Sequence, residues 1–415
     1  MGDEPRDVPP GRAVLDESAL DVVREVAAAL APTGAAAGWG YSLARGTAGI
    51  ALFLAETALA LGDDALADTA AAHLDAAVDA AVAAPISTSL FSGTVGVGWV
   101  LSHLDGRLLD ASDALGDVDE LVLASIDAFP AVADLTDGLV GLGVYLLSRL
   151  PAAEAYDGLA RIVRRLAATS EPDATWWRRP DTMPADELDR YPEGYLSLGM
   201  AHGQPGVVAL LARLHAAGVE GAGELLRQAT AALTAFASRD HDAFGRYPTV
   251  LAARDEDRHG SRLAWCYGDP GVATALLAAG RALADDAVVA EALETARAAA
   301  ARPFDGSMVV DAGLCHGTAG LVQIFARLYG DTKDEVFADA ARRWYGVLLG
   351  QRVAGGPYAG FQAILDAEVG YVPLPGLLEG AAGAGLALLD AALPAPLSWD
   401  GVLLTEGGAG APPSV

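Results

Sequence analysis

Hydrophobic residues along the chain fall into alternating blocks of two kinds. Blocks of the first kind follow a G-x-x-G element and are apolar on nearly every side, as in GTAGIALFLAETAL from Gly46. Blocks of the second kind carry a polar stripe, as in DDALADTAAAHLDAAVDAAVAA from Asp63. A helix that packs on two sides is apolar all round, whereas a helix with a solvated face is amphipathic. The pattern therefore predicts buried inner helices that alternate with half-buried outer helices.

The G-x-x-G element recurs seven times, each time before a similar apolar segment. The seven elements begin at Gly46, Gly93, Gly138, Gly203, Gly268, Gly317 and Gly380. Each interval of 45 to 65 residues holds two helices of ordinary length with their connections. We predict an all-α fold, an α/α toroid (a double-ring barrel) of seven helical hairpins, each with an inner helix that G-x-x-G initiates. An open solenoid is the alternative, but the first and last repeats are as apolar as the middle ones, whereas solenoid ends need polar caps.

The predicted toroid forms a single domain at residues 13–404. We expect a disordered N-terminus at 1–12 and a disordered tail at 405–415, because neither segment carries an apolar pattern that would fix it. Two longer irregular segments, 169–195 and 238–262, interrupt the regular spacing of the repeats. Prolines, arginines and tryptophans concentrate in them. These segments are predicted to form the walls of a cleft.

The composition favours helices and limits the partners. Hydrophobic residues make up 52% of the chain and aromatic residues only 7%, and alanine, the strongest helix former, is abundant. Acidic residues outnumber basic ones by 55 to 27, and the net charge of -28 repels nucleic-acid phosphates and anionic lipid. No secretory signal is visible, and Pro85 interrupts one long uncharged run, so we predict no integral membrane segment. Two cysteines without an export signal predict reduced thiols and a cytoplasmic protein.

The residues directly before the G-x-x-G elements are predicted to converge at one end of the ring, where the inner helices begin. His202 and His316 immediately precede the first glycine of the fourth and sixth repeats, and Cys266 and Cys315 lie one position earlier in the fifth and sixth. Thiolate and imidazole ligands suit zinc, and three protein ligands with an open fourth position are typical of a catalytic site. His202 is the candidate for a fourth ligand, which would make the site structural. Two buried cysteines and a core histidine without metal are the other interpretation.

The motifs RLAWCYGDPG, LCHGTAG and GMAHGQPG, together with the repeated G-x-x-G helices, resemble the LanC-type lanthipeptide (lanthionine) cyclases. The resemblance covers nearly the whole chain, including WDGVLL near its carboxyl end. It implies a zinc-dependent enzyme that adds cysteine thiols to dehydroalanine or dehydrobutyrine within a ribosomally made precursor peptide, forming thioether rings. It also implies one Zn²⁺ per chain, held by Cys266, Cys315 and His316.

The resemblance further implies a set of active-site residues. They are His202, Arg262 four residues before the first cysteine, Tyr267 directly after it, and Asp134, with Asp137 as a competing carboxylate. We expect His202 to deliver a proton, Asp134 to orient it, and Arg262 or Tyr267 to stabilise an enolate. Three of them also have a structural interpretation: Tyr267 as a core aromatic, Arg262 in a surface ion pair and Asp134 as a helix cap.

Other functions remain open at this point. A LanC-like protein could add a free thiol such as glutathione to dehydroamino acids, and a non-catalytic member of the same fold could serve as a peptide-binding scaffold. A prenyltransferase-like zinc toroid is disfavoured, because its isoprenoid cavity needs aromatic residues and its diphosphate site needs basic ones. The expected partner is a dehydrated precursor peptide, with a dehydratase as a further candidate.

Overall fold

The computed structural model describes residues 13–33, 38–128, 132–183, 185–238, 245–252, 261–365 and 368–406. The predicted disordered segment at 1–12 lies outside these residues, and so does the predicted tail from position 407. Thr405, where the predicted tail begins, is described and buried. No helix within the described ranges is long and apolar enough to cross a membrane.

Helices dominate the described part of the chain. They are α1 (Glu17–Leu30), α2 (Thr47–Leu61), α3 (Asp64–Ala83), α4 (Thr94–Leu104), α5 (Ser112–Ala128), α6 (Leu139–Ser148), α7 (Ala153–Thr169), α8 (Ala185–Arg190), α9 (Gln204–Ala216), α10 (Ala222–Ala235), α11 (Asp269–Leu283), α12 (Asp286–Ala301), α13 (Thr318–Thr332), α14 (Glu335–Gly350) and α15 (Ala381–Ala392). Two short antiparallel pairs accompany them: β1 (Tyr195–Ser197) with β2 (Val250–Ala252), and β3 (Ala363–Ile364) with β4 (Tyr371–Val372).

Seven of these helices form the inner ring and seven the outer ring. The inner helices α2, α4, α6, α9, α11, α13 and α15 each have the first glycine of a G-x-x-G element as the residue that caps the amino terminus. In α2 every residue from Thr47 to Ala58 is buried, whereas α3 buries only one face. Each inner helix contacts the next one along the chain, and α15 contacts α2. The prediction of an all-α toroid of seven hairpins is confirmed.

The second glycine of each G-x-x-G element brings the first turn of its helix against the preceding loop. In all seven repeats, a Cβ added there would lie 1.9 to 2.4 Å from the carbonyl oxygen of the residue six positions earlier. Gly320 shows the effect beside the candidate site, with Leu314 O only 2.0 Å from the added Cβ. Real Cβ atoms do not approach an oxygen so closely, so any side chain at this position would push the loop away from its helix.

Seven backbone hydrogen bonds join the loops before the inner helices into a closed circle. The N–H groups that donate, each to the loop of the next repeat, belong to Ala44, Leu90, Leu135, Ala201, Cys266, Cys315 and Leu378, with N–O distances of 2.8 to 3.4 Å. The bond from Leu378 to the carbonyl of Ala44 connects the seventh repeat to the first. An open solenoid would lack this bond, so the ring is closed.

The two irregular segments predicted as cleft walls meet through the first strand pair, in which Tyr195 lies opposite Ala252. The segment before β1 lines a surface cleft of about 780 Å³, with Trp177 and Arg178 among its lining residues. Much of the second segment, 239–244 and 253–260, lies outside the described residues.

The carboxyl-terminal part of the described chain contacts the loop before α11. A 3₁₀ turn at Trp399–Leu403 is largely buried, and Trp265 Nε1 donates a 2.9 Å hydrogen bond to the carbonyl of Leu403. Arg327, near the end of α13, pairs with the buried carboxylate of Asp400 in the same turn. Trp265 directly precedes a candidate ligand, so this turn helps to hold the loop in which that ligand lies.

Candidate metal centre

Two cysteines and one histidine meet where the loops before α11 and α13 run side by side. The ligand atoms of Cys266, Cys315 and His316 all lie within 4.8 Å of one another. The backbone N–H of Cys266 donates to the carbonyl of Cys315 at 3.2 Å, which fixes the two loops relative to each other. Cys266 is buried, and the other two residues are half-buried. The structure thus brings together the three residues that the sequence predicts as ligands.

Their electrostatics suit a cation. A hydrogen bond from Cys315 lowers the pKa of Cys266, and His316 and Arg262 add to this effect against the opposing effect of burial. The same hydrogen bond and burial raise the pKa of Cys315 well above its ordinary value. Cys266 is therefore the more readily deprotonated of the two thiols, and a bound cation would favour the thiolate form of both. Two sulfurs and one imidazole nitrogen are a donor set that zinc accepts, with a fourth position left open.

A carboxylate that the sequence analysis missed faces His316. Asp311 Oδ2 lies 3.5 Å from His316 Nε2, and this contact, together with Cys266, raises the pKa of the imidazole to about 10. A positional signal in the sequence could have found it. Asp311 lies six residues before the first glycine of its repeat, as Arg262 does in the preceding repeat.

His202 pairs with Asp134 at one side of this cluster. His202 Nδ1 donates to Asp134 Oδ2 at 2.9 Å, while Asp134 Oδ1 accepts from the backbone N–H groups of Thr136 at 2.7 Å and Asp137 at 3.0 Å. Burial lowers the pKa of His202, but the hydrogen bond and charge of Asp134 outweigh it, and the net shift is upward. Asp137 is exposed and accepts from the Thr136 hydroxyl at 3.1 Å. The carboxylate in contact with His202 is therefore that of Asp134.

His202 lies beside the three candidate ligands without joining them. The metal-ligand geometry found among the described residues does not include it, although the charge of Cys266 contributes to its raised pKa. Its ring stacks on that of Tyr267, with centroids 6.0 Å apart and 29° between the planes. Burial raises the pKa of Tyr267 above its ordinary value, against a smaller lowering by Ser197, so the phenol remains a proton-bearing donor.

Three further charged side chains, Arg262, Arg45 and Glu379, act on the cluster. Arg262 is half-buried, and its positive charge favours the thiolate form of both cysteines. Arg45 donates from Nε and Nη2 to the two carboxylate oxygens of Glu379, at 3.1 and 3.2 Å. The charge of Glu379 contributes to the raised pKa of Cys315. The sequence analysis assigned no role to this last pair, which occupies the position before the first glycine in the first and seventh repeats.

Comparison with known proteins adds an independent finding. The family model described as lanthionine synthetase C-like protein matches residues 38–404. The nisin biosynthesis protein NisC of Lactococcus lactis subsp. lactis is 29% identical over 282 residues, which cover 61% of this chain and 66% of that protein, just under two thirds of its length.

Two solved structures share the fold. Nisin cyclase matches with a TM-score of 0.74 and 24% identity, covering 94% of this chain and 96% of that chain. A sugar epimerase from a ruminal bacterium matches with a TM-score of 0.50 and 11% identity, covering 90% of this chain and 97% of that chain. At these identities the likeness shows a common helical architecture.

Proposed function

The chain belongs to the lanthionine synthetase C-like family, and on that premise we propose that it is a zinc-dependent lanthipeptide cyclase. In this proposal it joins cysteine thiols of a dehydrated precursor peptide to dehydroalanine or dehydrobutyrine residues of the same peptide, forming thioether rings. The observation that carries the proposal is the convergence of Cys266, Cys315 and His316 beside the His202–Asp134 pair. Thiol addition needs a group that activates the thiol and a group that donates a proton, and the proposed metal ligands and His202 provide for both at one end of the ring.

The proposed cofactor is one Zn²⁺ per chain, held by Cys266, Cys315 and His316. When bound, zinc supplies a Lewis acid that lowers the pKa of a thiol, which is about 8.5 when free. The two protein thiolates donate negative charge to the centre, and this keeps a substrate sulfur nucleophilic. Arg262 also favours the thiolate form of both protein cysteines.

The remaining residues act on the dehydroamino acid. Attack of the thiolate on its β-carbon forms the C–S bond and moves an electron pair to the neighbouring carbonyl, giving an enolate. Arg262 or the Tyr267 hydroxyl stabilises this charge. His202 then delivers a proton to the α-carbon. Because Asp134 engages Nδ1, His202 Nε2 is the nitrogen free for this transfer, and the raised pKa of the imidazole favours its proton-bearing form.

The substrate and setting form part of the proposal. The substrate is a dehydrated precursor peptide, because intramolecular ring closure requires thiol and dehydroamino acid in one chain. A dehydratase that supplies this peptide is the proposed partner, and the cytoplasm, where thiols stay reduced, is the proposed location.

The test uses the purified protein, zinc and a dehydrated cysteine-containing precursor peptide. Cyclisation leaves the mass of the peptide unchanged, so the product is treated with a thiol-alkylating reagent before mass spectrometry. We expect the alkylatable cysteines to disappear with zinc-loaded protein and to remain with protein stripped of metal. Persistence of all the thiols with the zinc-loaded protein would contradict ring closure. Addition of glutathione to the peptide, seen as a mass increase when that thiol is supplied, would instead favour the free-thiol activity.

A further inference from the structure

We propose that Asp311 is a positioning residue of the metal centre. Its carboxylate holds His316 through Nε2 and thereby makes Nδ1 the ligand atom. The inference rests on the proposed metal site and assigns a role to a residue outside it. Asp311 Oδ2 lies 3.5 Å from His316 Nε2, and the carboxylate is fully buried. Burying the charge of a carboxylate is costly without partners, and His316 is the cationic partner nearest to it.

Asp311 is fixed independently of the histidine. Its Oδ1 accepts from the N–H of Gly313 at 3.0 Å, and its Oδ2 accepts from the N–H of Ile364 in β3 at 3.1 Å. Its own carbonyl accepts from the N–H of Thr318 at 3.0 Å, at the first residue of α13. The carboxylate is therefore anchored to the loop, to the start of the helix and to the second strand pair, and it can act as a rigid reference for the ring.

The glycine after His316 leaves room for this carboxylate. A Cβ added to Gly317 would lie 2.3 Å from Asp311 Oδ1. That distance is too short for any real contact, so a side chain at this position would displace Asp311. The glycine of the C-H-G motif thus has a second effect beyond the helix start, since it leaves space for the Asp311 carboxylate within the loop that carries His316.

The contact between Asp311 and His316 decides which nitrogen of His316 can bind a metal. An ionised carboxylate can only accept, so the nitrogen that faces it carries the hydrogen. A neutral imidazole has one N–H, and its other nitrogen holds the lone pair that a metal requires. When a metal displaces one proton from His316, the nitrogen that faces Asp311 keeps its hydrogen, and Nδ1 supplies the lone pair. Carboxylates that orient ligand histidines in this way change metal affinity by about 10- to 100-fold in general.

The first test measures zinc release from the full-length zinc-loaded protein to a chromogenic chelator. Asp311→Asn should release zinc about 10- to 100-fold faster than the wild type. Asp134→Asn is the matched control, because Asp134 is likewise buried, anchored by two backbone N–H groups and in contact with a histidine that is not a proposed ligand. It should release zinc at the wild-type rate. Equal rates for Asp311→Asn and the wild type would overturn the inference, whereas a wild type without zinc would overturn the metal site itself.

The second test needs no change to Asp311. The wild-type protein labelled with ¹⁵N-histidine is loaded with zinc, and long-range ¹H–¹⁵N correlation spectra identify the protonated nitrogen of each ring. The His316 signals are assigned by their loss in His316→Gln. We expect Nε2 to be protonated and Nδ1 to show the metal-bound shift. A metal-bound Nε2 would refute the inference whatever the folding of Asp311→Asn.

Discussion

Replacing Asp134 by asparagine isolates the effect of a carboxylate on the proposed proton donor. In the structure Asp134 Oδ2 accepts from His202 Nδ1 at 2.9 Å, and only 5% of the aspartate side chain is exposed. Asparagine keeps the size of the side chain and one oxygen for the backbone N–H groups of Thr136 and Asp137. It removes the negative charge that opposes the effect of burial on the pKa of His202. The change should therefore affect His202 with little effect on the fold.

The size of the effect follows from the hydrogen bond. A hydrogen bond to a charged group contributes about 1.5–3 kcal/mol, and about 1.4 kcal/mol corresponds to a tenfold change in rate. His202 is 42% exposed, so solvent screens the pair and the lower end of this range applies. We expect ring closure at neutral pH to slow by about tenfold in Asp134→Asn, less than in a variant without the imidazole.

The pH dependence has a defined sign. Asp134 raises the pKa of His202, so the acid form persists to higher pH in the wild type. In Asp134→Asn that pKa falls, and the decline of the rate with increasing pH should begin at lower pH. The assay follows the loss of alkylatable thiols in a dehydrated peptide across pH, with zinc content measured in parallel. The control is Asp137→Asn, which removes the charge of the exposed neighbouring carboxylate. Asp137 raises the pKa of His202 less than Asp134 does, so this variant should change rate and profile much less than Asp134→Asn. A wild-type profile for Asp134→Asn, or the larger effect in Asp137→Asn, would refute this reasoning.

Three further changes test the site and the fold. His202→Asn should retain zinc but slow ring closure by about 100- to 10,000-fold, the usual contribution of a general acid. The control His215→Asn, at the end of α9, should stay active. Loss of zinc in His202→Asn would indicate that His202 is a fourth ligand. Cys315→Ala should lose zinc in metal analysis but keep a helical circular-dichroism spectrum, because the large core does not depend on the ion, and an unfolded spectrum would contradict this. Glu56 is buried and bonded to His103, and although burial opposes the shift, its partners lower its pKa to about 2. The ionised Glu56 stabilises the fold fully above pH 4.5, and this stabilisation is lost as the pH falls toward 2. Glu56→Gln should therefore lower the melting temperature at pH 7 and make the melting temperature depend less on acidic pH. An unchanged melting curve would contradict this.

The sequence predicts the frame of this protein well because the frame is periodic. Each G-x-x-G element marks the point at which an inner helix begins, and the seven apolar segments can be counted without knowledge of the structure. The ring of backbone hydrogen bonds could not be predicted in the same way, since its bonds join loops that lie far apart in the chain. The bond from Leu378 to Ala44 is the clearest case.

The residues of the candidate site could likewise be predicted from the sequence only in part. Cys266, Cys315 and His316 lie one or two residues before the first glycine of a repeat, so their convergence follows from the periodicity of the chain. Asp311 was missed because it lies six residues before the glycine, outside the two positions directly before each G-x-x-G element, and because its contact with the backbone N–H of Ile364 in β3 is long-range. The sequence alone could not show whether Asp134 or Asp137 contacts His202, because both lie close to the same repeat glycine. In the structure the loop buries Asp134 and exposes Asp137.

The proposal gives two histidines in the same loop position two different chemical roles. His202 and His316 occupy the same position in the fourth and sixth repeats, but their carboxylates approach from different places. Asp134 belongs to the neighbouring third repeat and engages Nδ1 of His202, which leaves the outer nitrogen free to meet a substrate. Asp311 belongs to the same loop as His316 and faces its outer nitrogen, which leaves the inner one, nearer the backbone, for a metal. In the proposed mechanism, the position of the carboxylate therefore distinguishes the proton donor His202 from the ligand His316.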